Sequence, residues 1–291
     1  MLLGLLATYS VLKSDSVLGP GAEKSLLRTK IQQSVSDTNV KDRTIWLAVP
    51  INKISNSFAQ AVADIPSGAS IMIGGFGGAG GQPTRLMLAL RDLGVGDLTI
   101  IGNVAGISKT TGYGWPDHLD PIDQGMFFES GQATKITCSF PVPGTTNPLS
   151  DIEKAWREGK AEVDIVPQGT LIERIRAAGA GIPAFYTPTG VGTPVAEGKE
   201  HRDFDGRTFL LEEALTADFA LIRAQKADTR GNLQYIGTSR AFNPAMATAA
   251  AITIVEVDEI VEPGGIDPER IGTLSTYVDR IVLRETGDPL P

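Results

Sequence analysis

Reactive and metal-binding residues are scarce in this chain of 291 residues. It has one cysteine, Cys138, and only two histidines, His118 and His201. A single cysteine excludes an internal disulfide and fits a reducing compartment, and we expect Cys138 to be a buried structural thiol. Two histidines give little support to a serine–histidine hydrolase or a histidine metal cluster. The paired acids Asp258 and Glu259 have no histidine or cysteine beside them, so we expect no metal site.

Long apolar runs and clusters of basic residues are also missing. No segment reaches the roughly 18 consecutive apolar residues that a transmembrane helix needs. The short apolar N-terminus lacks the basic region and the cleavage site of a secretory signal. The net charge is −8 and no basic block is present, which argues against a nucleic-acid partner. We therefore expect a cytoplasmic protein that binds neither membranes nor nucleic acid.

The first 50 residues differ from the rest of the chain. Residues 13 to 45 are polar, with scattered charges and no sustained hydrophobic periodicity. Such a segment cannot bury enough apolar surface to offset the entropy of ordering. We predict a poorly ordered N-terminal extension over residues 1–50 and one α/β domain over residues 51–291.

Short apolar runs alternate with amphipathic stretches over the first half of that domain. This alternation predicts an open, mostly parallel sheet that is covered by helices. The strands are predicted at 69–74, 98–101, 135–139, 163–166 and 183–186, and the helices at 57–63, 84–93, 149–158 and 170–178. In the helix at 149–158 we expect Ile152, Ala155 and Trp156 to face inward.

The pattern changes after Gly190. Strand-like segments at 207–211, 219–223 and 233–235 are separated by turn residues, which predicts a partly antiparallel excursion near 195–240. A helix at 245–250 and strands at 252–257 and 277–283 follow.

A glycine-rich stretch, Ser70 to Leu90, is the most informative local feature. The apolar run Ile71-Met72-Ile73 ends in Gly74-Gly75-Phe76, four more glycines precede Pro83, and a helical pattern then begins. This order brings backbone N–H groups to the carboxyl end of a strand, where anions and developing oxyanions bind. The same residues could also form a tight strand-to-helix turn without any ligand.

Several segments together resemble the A (α) subunit of the two-subunit CoA-transferases, in particular the 3-oxoacid and 3-oxoadipate enzymes. The similarity covers roughly Ile51 to Val282 in order. The segments that carry it are Gly74-Gly75-Phe76 with Gly81-x-Pro83, Asn103-x-Ala105-Gly106, Pro167-Gln168-Gly169-Thr170-Leu171, Pro183 to Gly190, Phe242-Asn243-Pro244, Val261-Glu262-Pro263-Gly264 and Tyr277 to Val282. The resemblance implies an open α/β fold related to that of ribose-5-phosphate isomerase.

The resemblance also implies a reaction and a partner. Such enzymes move CoA from an acyl-CoA donor similar to succinyl-CoA to a 3-oxo acid, by ping-pong chemistry. Their nucleophile is a glutamate in a Ser-Glu-Asn-Gly motif of a separate B (β) subunit, and that motif is absent from this chain. We therefore expect half of an active site, with coenzyme A as the transferred group and no permanently bound cofactor.

The resemblance and the strand pattern together nominate a small set of site residues. Gln168 is expected to stabilise an oxyanion or thioester carbonyl, although it could merely cap the following helix. Asn103, which we place just after a strand, could orient the substrate carboxylate or stabilise its own turn. Phe76 could wall the acyl pocket or belong to the core. The substrate-binding candidates are Asn103, Gly74, Gly75, Phe76 and Gly77.

Other functions stay open at this point. The chain departs from the family pattern at Val104 and Ala241, and the segment from Trp115 to Met126 looks like additional length. These departures are compatible with a different acid, such as a glutaconate-type or aromatic-pathway substrate. A phosphosugar isomerase or a ligand-binding protein of related fold would need no B subunit.

Overall fold

The computed structural model describes residues 51–76, 80–106, 112, 115, 117–142, 149–286 and 288. The chain divides into two units, residues 1–51 and 52–291, and the second unit carries the fold that follows. The predicted N-terminal extension lies outside the described residues. No helix in the described part of the chain is long and apolar enough to cross a membrane.

Eleven strands and six α-helices occur in the described residues. The strands are β1 (Ser70–Ile73), β2 (Leu98–Val104), β3 (Ala133–Phe140), β4 (Glu162–Ile165), β5 (Ala184–Thr187), β6 (His201–Phe204), β7 (Arg207–Glu213), β8 (Ala217–Asp228), β9 (Leu233–Gln234), β10 (Ala250–Val261) and β11 (Arg280–Leu283). The helices are α1 (Phe58–Val62), α2 (Thr84–Leu93), α3 (Gly125–Glu129), α4 (Asp151–Arg157), α5 (Gln168–Gly179) and α6 (Asn243–Ala249).

The main sheet is open and almost entirely parallel, as predicted. Its strand order is β11-β10-β8-β1-β2-β3-β4, and the short strand β9 pairs antiparallel with β8. Neighbouring strands along that order are parallel. All seven long strands therefore present their carboxyl ends at one edge of the sheet, where open α/β proteins bind their ligands.

Both faces of the sheet are buried, because successive residues of a strand point to opposite sides. In β1, Ile71 and Ile73 pack with Leu86 and Leu90 of α2 in one core cluster. The intervening Met72 belongs to a second cluster, which includes residues of α5 and α6. The continuous apolar run of this strand is thus explained by helices on both sides.

Helix α4 begins as its sequence dictates, but one of its inward predictions is wrong. Ser150 and Glu153 form a reciprocal capping box at its start. Ile152 and Ala155 are buried as expected, whereas Trp156 is 59% exposed. The helix spans only two turns and packs against α3 beside the edge strand β4, so the side of the helix that carries Trp156 has no neighbour to cover it.

The antiparallel excursion exists, but it lies earlier than predicted. A separate antiparallel sheet with the order β5-β7-β6 occupies residues 184–213. Strand β8, which we assigned to the excursion, instead runs parallel between β10 and β1 in the main sheet. Only the short β9 after the turn at Asp228 is antiparallel, and this hairpin made the region resemble a meander.

Candidate functional site

Two of the nominated residues, 65 positions apart in sequence, meet at the carboxyl edge of the sheet. The Nε2 group of Gln168 donates a hydrogen bond to Oδ1 of Asn103 at 2.7 Å. Asn103 is only 3% exposed and Gln168 is half-buried. The fold therefore assembles a pair of side-chain amides at a place where parallel strands end.

The local backbone explains how each amide reaches this position. Asn103 lies inside β2, not after it as predicted, because β2 continues to pair with β3 as far as Val104 and Phe140. Gln168 is the first residue of α5, just beyond the end of β4. The side chain at the preceding N-cap position, Pro167, caps nothing, and the Gln168 amide bonds to Asn103 and not to the helix start.

The pair can still donate hydrogen bonds to a ligand. A glutamine amide has two N–H groups, and one of them is used by Asn103. The structure gives Nδ2 of Asn103 no partner among the described residues. Amide donors that are held in place in a partly buried site can stabilise the negative charge that develops on a carbonyl oxygen during acyl transfer.

The first residues of the glycine loop lie beside this pair. Parallel pairing matches Ser70 with Thr99 and Met72 with Ile101, and the same register places Gly74 level with Asn103. Gly75 has φ +96°, and a Cβ there would lie 2.6 Å from Cγ of Gln82, so only glycine fits. Gly77 lies outside the described residues.

Phe76 is neither fully buried nor isolated. Its side chain is 38% exposed, and its ring lies 6.1 Å from the ring of Phe242 between centroids. It is therefore not a core residue, and it presents an apolar surface at the end of β1. Such a surface suits the wall of an acyl pocket, the role that we nominated for it.

The start of α2 does not offer the free donors that the glycine stretch suggested. The backbone N–H groups of Arg85 and Leu86 both donate to Oε2 of Glu256, at 2.8 and 2.9 Å. A carboxylate of the protein thus occupies the positive end of this helix, which a ligand anion would otherwise take. The prediction of an anion site at the helix start is corrected on this point.

Glu256 is completely buried and sits among charged neighbours. Burial raises the pKa of Glu256 to about 7, whereas the Leu86 N–H and the positive charges of Arg284 and Arg223 lower it. Arg284 lies 3.8 Å from its Oε1 atom. Because its other oxygen holds the start of α2, Glu256 is a structural acid and a poor candidate for a nucleophile.

Sequence reasoning missed two buried glutamines near the strand ends. Among the described residues, Gln82 Nε2 and Gln124 Oε1 are buried and have no hydrogen-bond partner. Gln82 contacts Gly75, and the Gln124 amide lies beside Gly102 of β2. Unsatisfied buried polar atoms are costly and concentrate at functional sites. Gln82 fills the variable position between Gly81 and Pro83, whereas nothing in the local sequence marks Gln124.

The remaining reactive groups have ordinary structural roles. Cys138 is fully buried in β3, and burial raises the pKa of its thiol to about 12, which opposes formation of a nucleophilic thiolate. Asp258 and Glu259 pair with Arg223 and Lys226. No cluster of three or more histidine, cysteine, aspartate or glutamate side chains that could hold a metal occurs within the described parts of the chain.

Comparison with known proteins gives consistent similarities. Residues 55–284 match the family described as coenzyme A transferase. The chain is 44% identical over 233 residues to the A subunit of the probable succinyl-CoA:3-ketoacid coenzyme A transferase of Bacillus subtilis strain 168, covering 80% of this chain and 90% of that protein. It is 46% identical over 232 residues to the A subunit of the 3-oxoadipate CoA-transferase of Pseudomonas putida, covering 80% of this chain and 94% of that protein.

The fold is also similar to that of a solved enzyme. An acyl-CoA transferase from E. coli O157:H7, in a thioester complex with CoA, superimposes with a TM-score of 0.67 over 82% of this chain. The sequence identity is 22%, and the present chain spans about half of that longer chain, 51%. This likeness supports the architecture of the main sheet.

Proposed function

This chain belongs to the coenzyme A transferase family, and on that basis we propose that it is the A (α) component of an enzyme that moves CoA from a succinyl-CoA-like donor to a 3-oxo acid. The names of its bacterial relatives support this substrate class, and the matches extend over most of both chains. Coenzyme A is a substrate in this reaction, as the group that is transferred. The family match favours this activity over a phosphosugar isomerase or a ligand-binding module.

The observation that carries the proposal is the amide pair of Asn103 and Gln168 at the carboxyl edge of the sheet. A carboxylate attacks the thioester carbonyl of the donor, the CoA thiolate leaves, and an acyl anhydride forms. The thiolate then attacks the glutamyl carbonyl of that anhydride, and the donor acid leaves as a carboxylate. Each attack places negative charge on a carbonyl oxygen, which the amide N–H groups of this chain can stabilise.

The nucleophilic carboxylate comes from a separate B subunit in this proposal. The chain has no Ser-Glu-Asn-Gly sequence. The fully buried Glu256 is engaged with the start of α2 and cannot serve both purposes. The relatives are themselves named as one of two kinds of subunit, which is consistent with a second chain that completes the site.

A trapping experiment tests this division of labour. The chain and its B subunit are purified together, incubated with succinyl-CoA, reduced with borohydride and digested for mass spectrometry. We expect a reduced glutamate in the B subunit, loss of activity, and ping-pong kinetics with acetoacetate or 3-oxoadipate as the acceptor. The two separate polypeptides are the controls, and neither should exchange CoA by itself.

Two outcomes would contradict the proposal. A reduced glutamate in this chain would place the nucleophile here, and exchange of CoA by this chain alone would remove the need for a B subunit. Activity with glutaconate but not with 3-oxo acids would keep the family chemistry and replace the acceptor.

A further inference from the structure

Asn243 is the most fully engaged polar side chain near the glycine loop, and no catalytic step described above uses it. It is the first residue of α6 and is 0% exposed. Its Nδ2 group donates to the carbonyl oxygens of Gly81, at 2.9 Å, and of Ser239, at 2.8 Å. Its Oδ1 atom accepts a hydrogen bond from the backbone N–H of Arg223 at 3.1 Å.

The same side chain also touches the other end of the glycine loop. A Cβ on Gly74 would lie 1.8 Å from Oδ1 of Asn243, so the backbone of Gly74 packs directly on this amide. A Cβ on Gly81 would lie 2.4 Å from the carbonyl oxygen of Ser239. One buried amide therefore contacts the residues at which the loop leaves β1 and at which it approaches α2.

Asparagine is suited to this position because it both donates and accepts. The two carbonyl oxygens of Gly81 and Ser239 need donors, and the N–H of Arg223 needs an acceptor, which together match one primary amide. An aspartate has a similar shape but would place an oxygen against the two carbonyl oxygens. The contacts thus depend on the chemistry of the side chain as well as on its size.

We infer that Asn243 is the positioning residue that sets the glycine loop against the substrate, although it does not touch the reacting atoms itself. The inference rests on the proposed function, because it assumes that the loop lines the acyl-CoA site. Gly74 lies level with Asn103 in the neighbouring strand, so a displacement of the loop alters the distance to the Asn103–Gln168 pair. Misplacement by about 1 Å can lower turnover roughly 100-fold.

The test compares Asn243→Asp with a matched control on the same helix. Thr248→Ala removes a polar side chain of similar size at the other end of α6, where Thr248 packs against Gly179 of α5. Both variants are assembled with the B subunit, and kcat, KM for succinyl-CoA and the melting temperature are measured. We expect Asn243→Asp to lower kcat/KM by roughly 10-fold to 100-fold. Thr248→Ala should lose stability and keep wild-type kinetics.

Hydrogen–deuterium exchange supplies a readout that does not depend on the activity. The backbone amides of residues 74–82 should exchange faster in Asn243→Asp than in the wild type or in Thr248→Ala, at a temperature where all three are folded. Wild-type exchange and wild-type kinetics in Asn243→Asp would overturn the inference. If the wild-type complex moves no CoA, the proposed function fails, while the exchange result still decides the role of Asn243.

A second pair of variants covers the case in which Asn243→Asp does not fold. Gly74→Ala pushes on the same contact from the loop side, and its methyl group would collide with Asn243. We expect a loss of turnover that Asn243→Ala partly restores in the Gly74→Ala/Asn243→Ala double variant, because the collision is then removed. A double variant no more active than Gly74→Ala alone, or wild-type activity in Gly74→Ala, would contradict the inference.

Discussion

Replacement of Gln168 by alanine should slow CoA transfer strongly. The Gln168 amide lies 2.7 Å from Asn103, half-buried at the end of the parallel strands, where it can donate to a developing oxyanion. Loss of one such donor costs roughly 10²–10³ in turnover, or about 3–4 kcal/mol of transition-state stabilisation. Because the interaction strengthens in the transition state, kcat and kcat/KM should fall together.

The same variant should have only a modest effect on folding. Asn103 is 3% exposed, and it loses the donor that now satisfies its Oδ1 atom. An unsatisfied buried acceptor costs about 1–3 kcal/mol, an upper bound here because water can enter the space that the side chain leaves. Gln168→Glu should be at least as slow as Gln168→Ala, since a carboxylate repels the developing negative charge.

The assay uses the complex assembled with the B subunit, with succinyl-CoA and a 3-oxo acid as substrates. Arg176→Ala is the matched control, because Arg176 lies on the same helix, is exposed, and pairs only with Glu173 among the described residues. This control should keep normal kinetics and a normal melting temperature. A normal kcat in Gln168→Ala would refute the role in catalysis, and a lower melting temperature with normal turnover would reduce Gln168 to a support for Asn103.

Three further predictions concern stability. Burial raises the folded-state pKa of Glu256 from 4.5 to about 7, so the native state holds this proton more tightly than the unfolded state, and stability should fall as the pH rises from about 4.5 to about 7, by up to about 3 kcal/mol. Glu256→Gln should flatten that part of the pH profile of the unfolding free energy, and an unchanged slope would assign it to other groups. Ala241 has φ 33° and ψ −127°, a region that favours glycine, so Ala241→Gly should raise the unfolding free energy by about 1 kcal/mol in urea titrations, and a loss of stability would show that the backbone is not strained there. A chain that starts near Ile51 should fold and bind the B subunit like the full chain, which a melting temperature lower by several degrees would contradict.

The helices and strands of this domain were largely predictable because they are local. Thr84–Leu93 is a helix as expected, since its apolar residues recur at helical spacing and Gly94 adopts the left-handed conformation that ends it. The apolar run in β1 predicted a strand buried on both faces. Trp156 was predicted wrongly, because periodicity indicates a helix face but does not tell whether another element covers that face.

The candidate site divides along the same line. Residue types and order indicated Gln168, Asn103 and the first glycines one by one, and the resemblance of several motifs indicated the family. That Gln168 bonds to Asn103, and not to its own helix, depends on how β2, β3 and β4 lie side by side, which no local pattern contains. The pairing brings together residues that are far apart in the chain.

The sequence by itself determined the class of the fold, the family and the absence of the family's nucleophile motif from this chain. Tertiary structure alone decided which group occupies the start of α2, because Glu256 reaches it from a strand 170 residues away in sequence. It also decided that β8 lies in the centre of the parallel sheet and that Asn243 contacts both Gly74 and Gly81. A sequence pattern records what each segment prefers, whereas these contacts arise only when the segments pack and their buried polar groups must find partners.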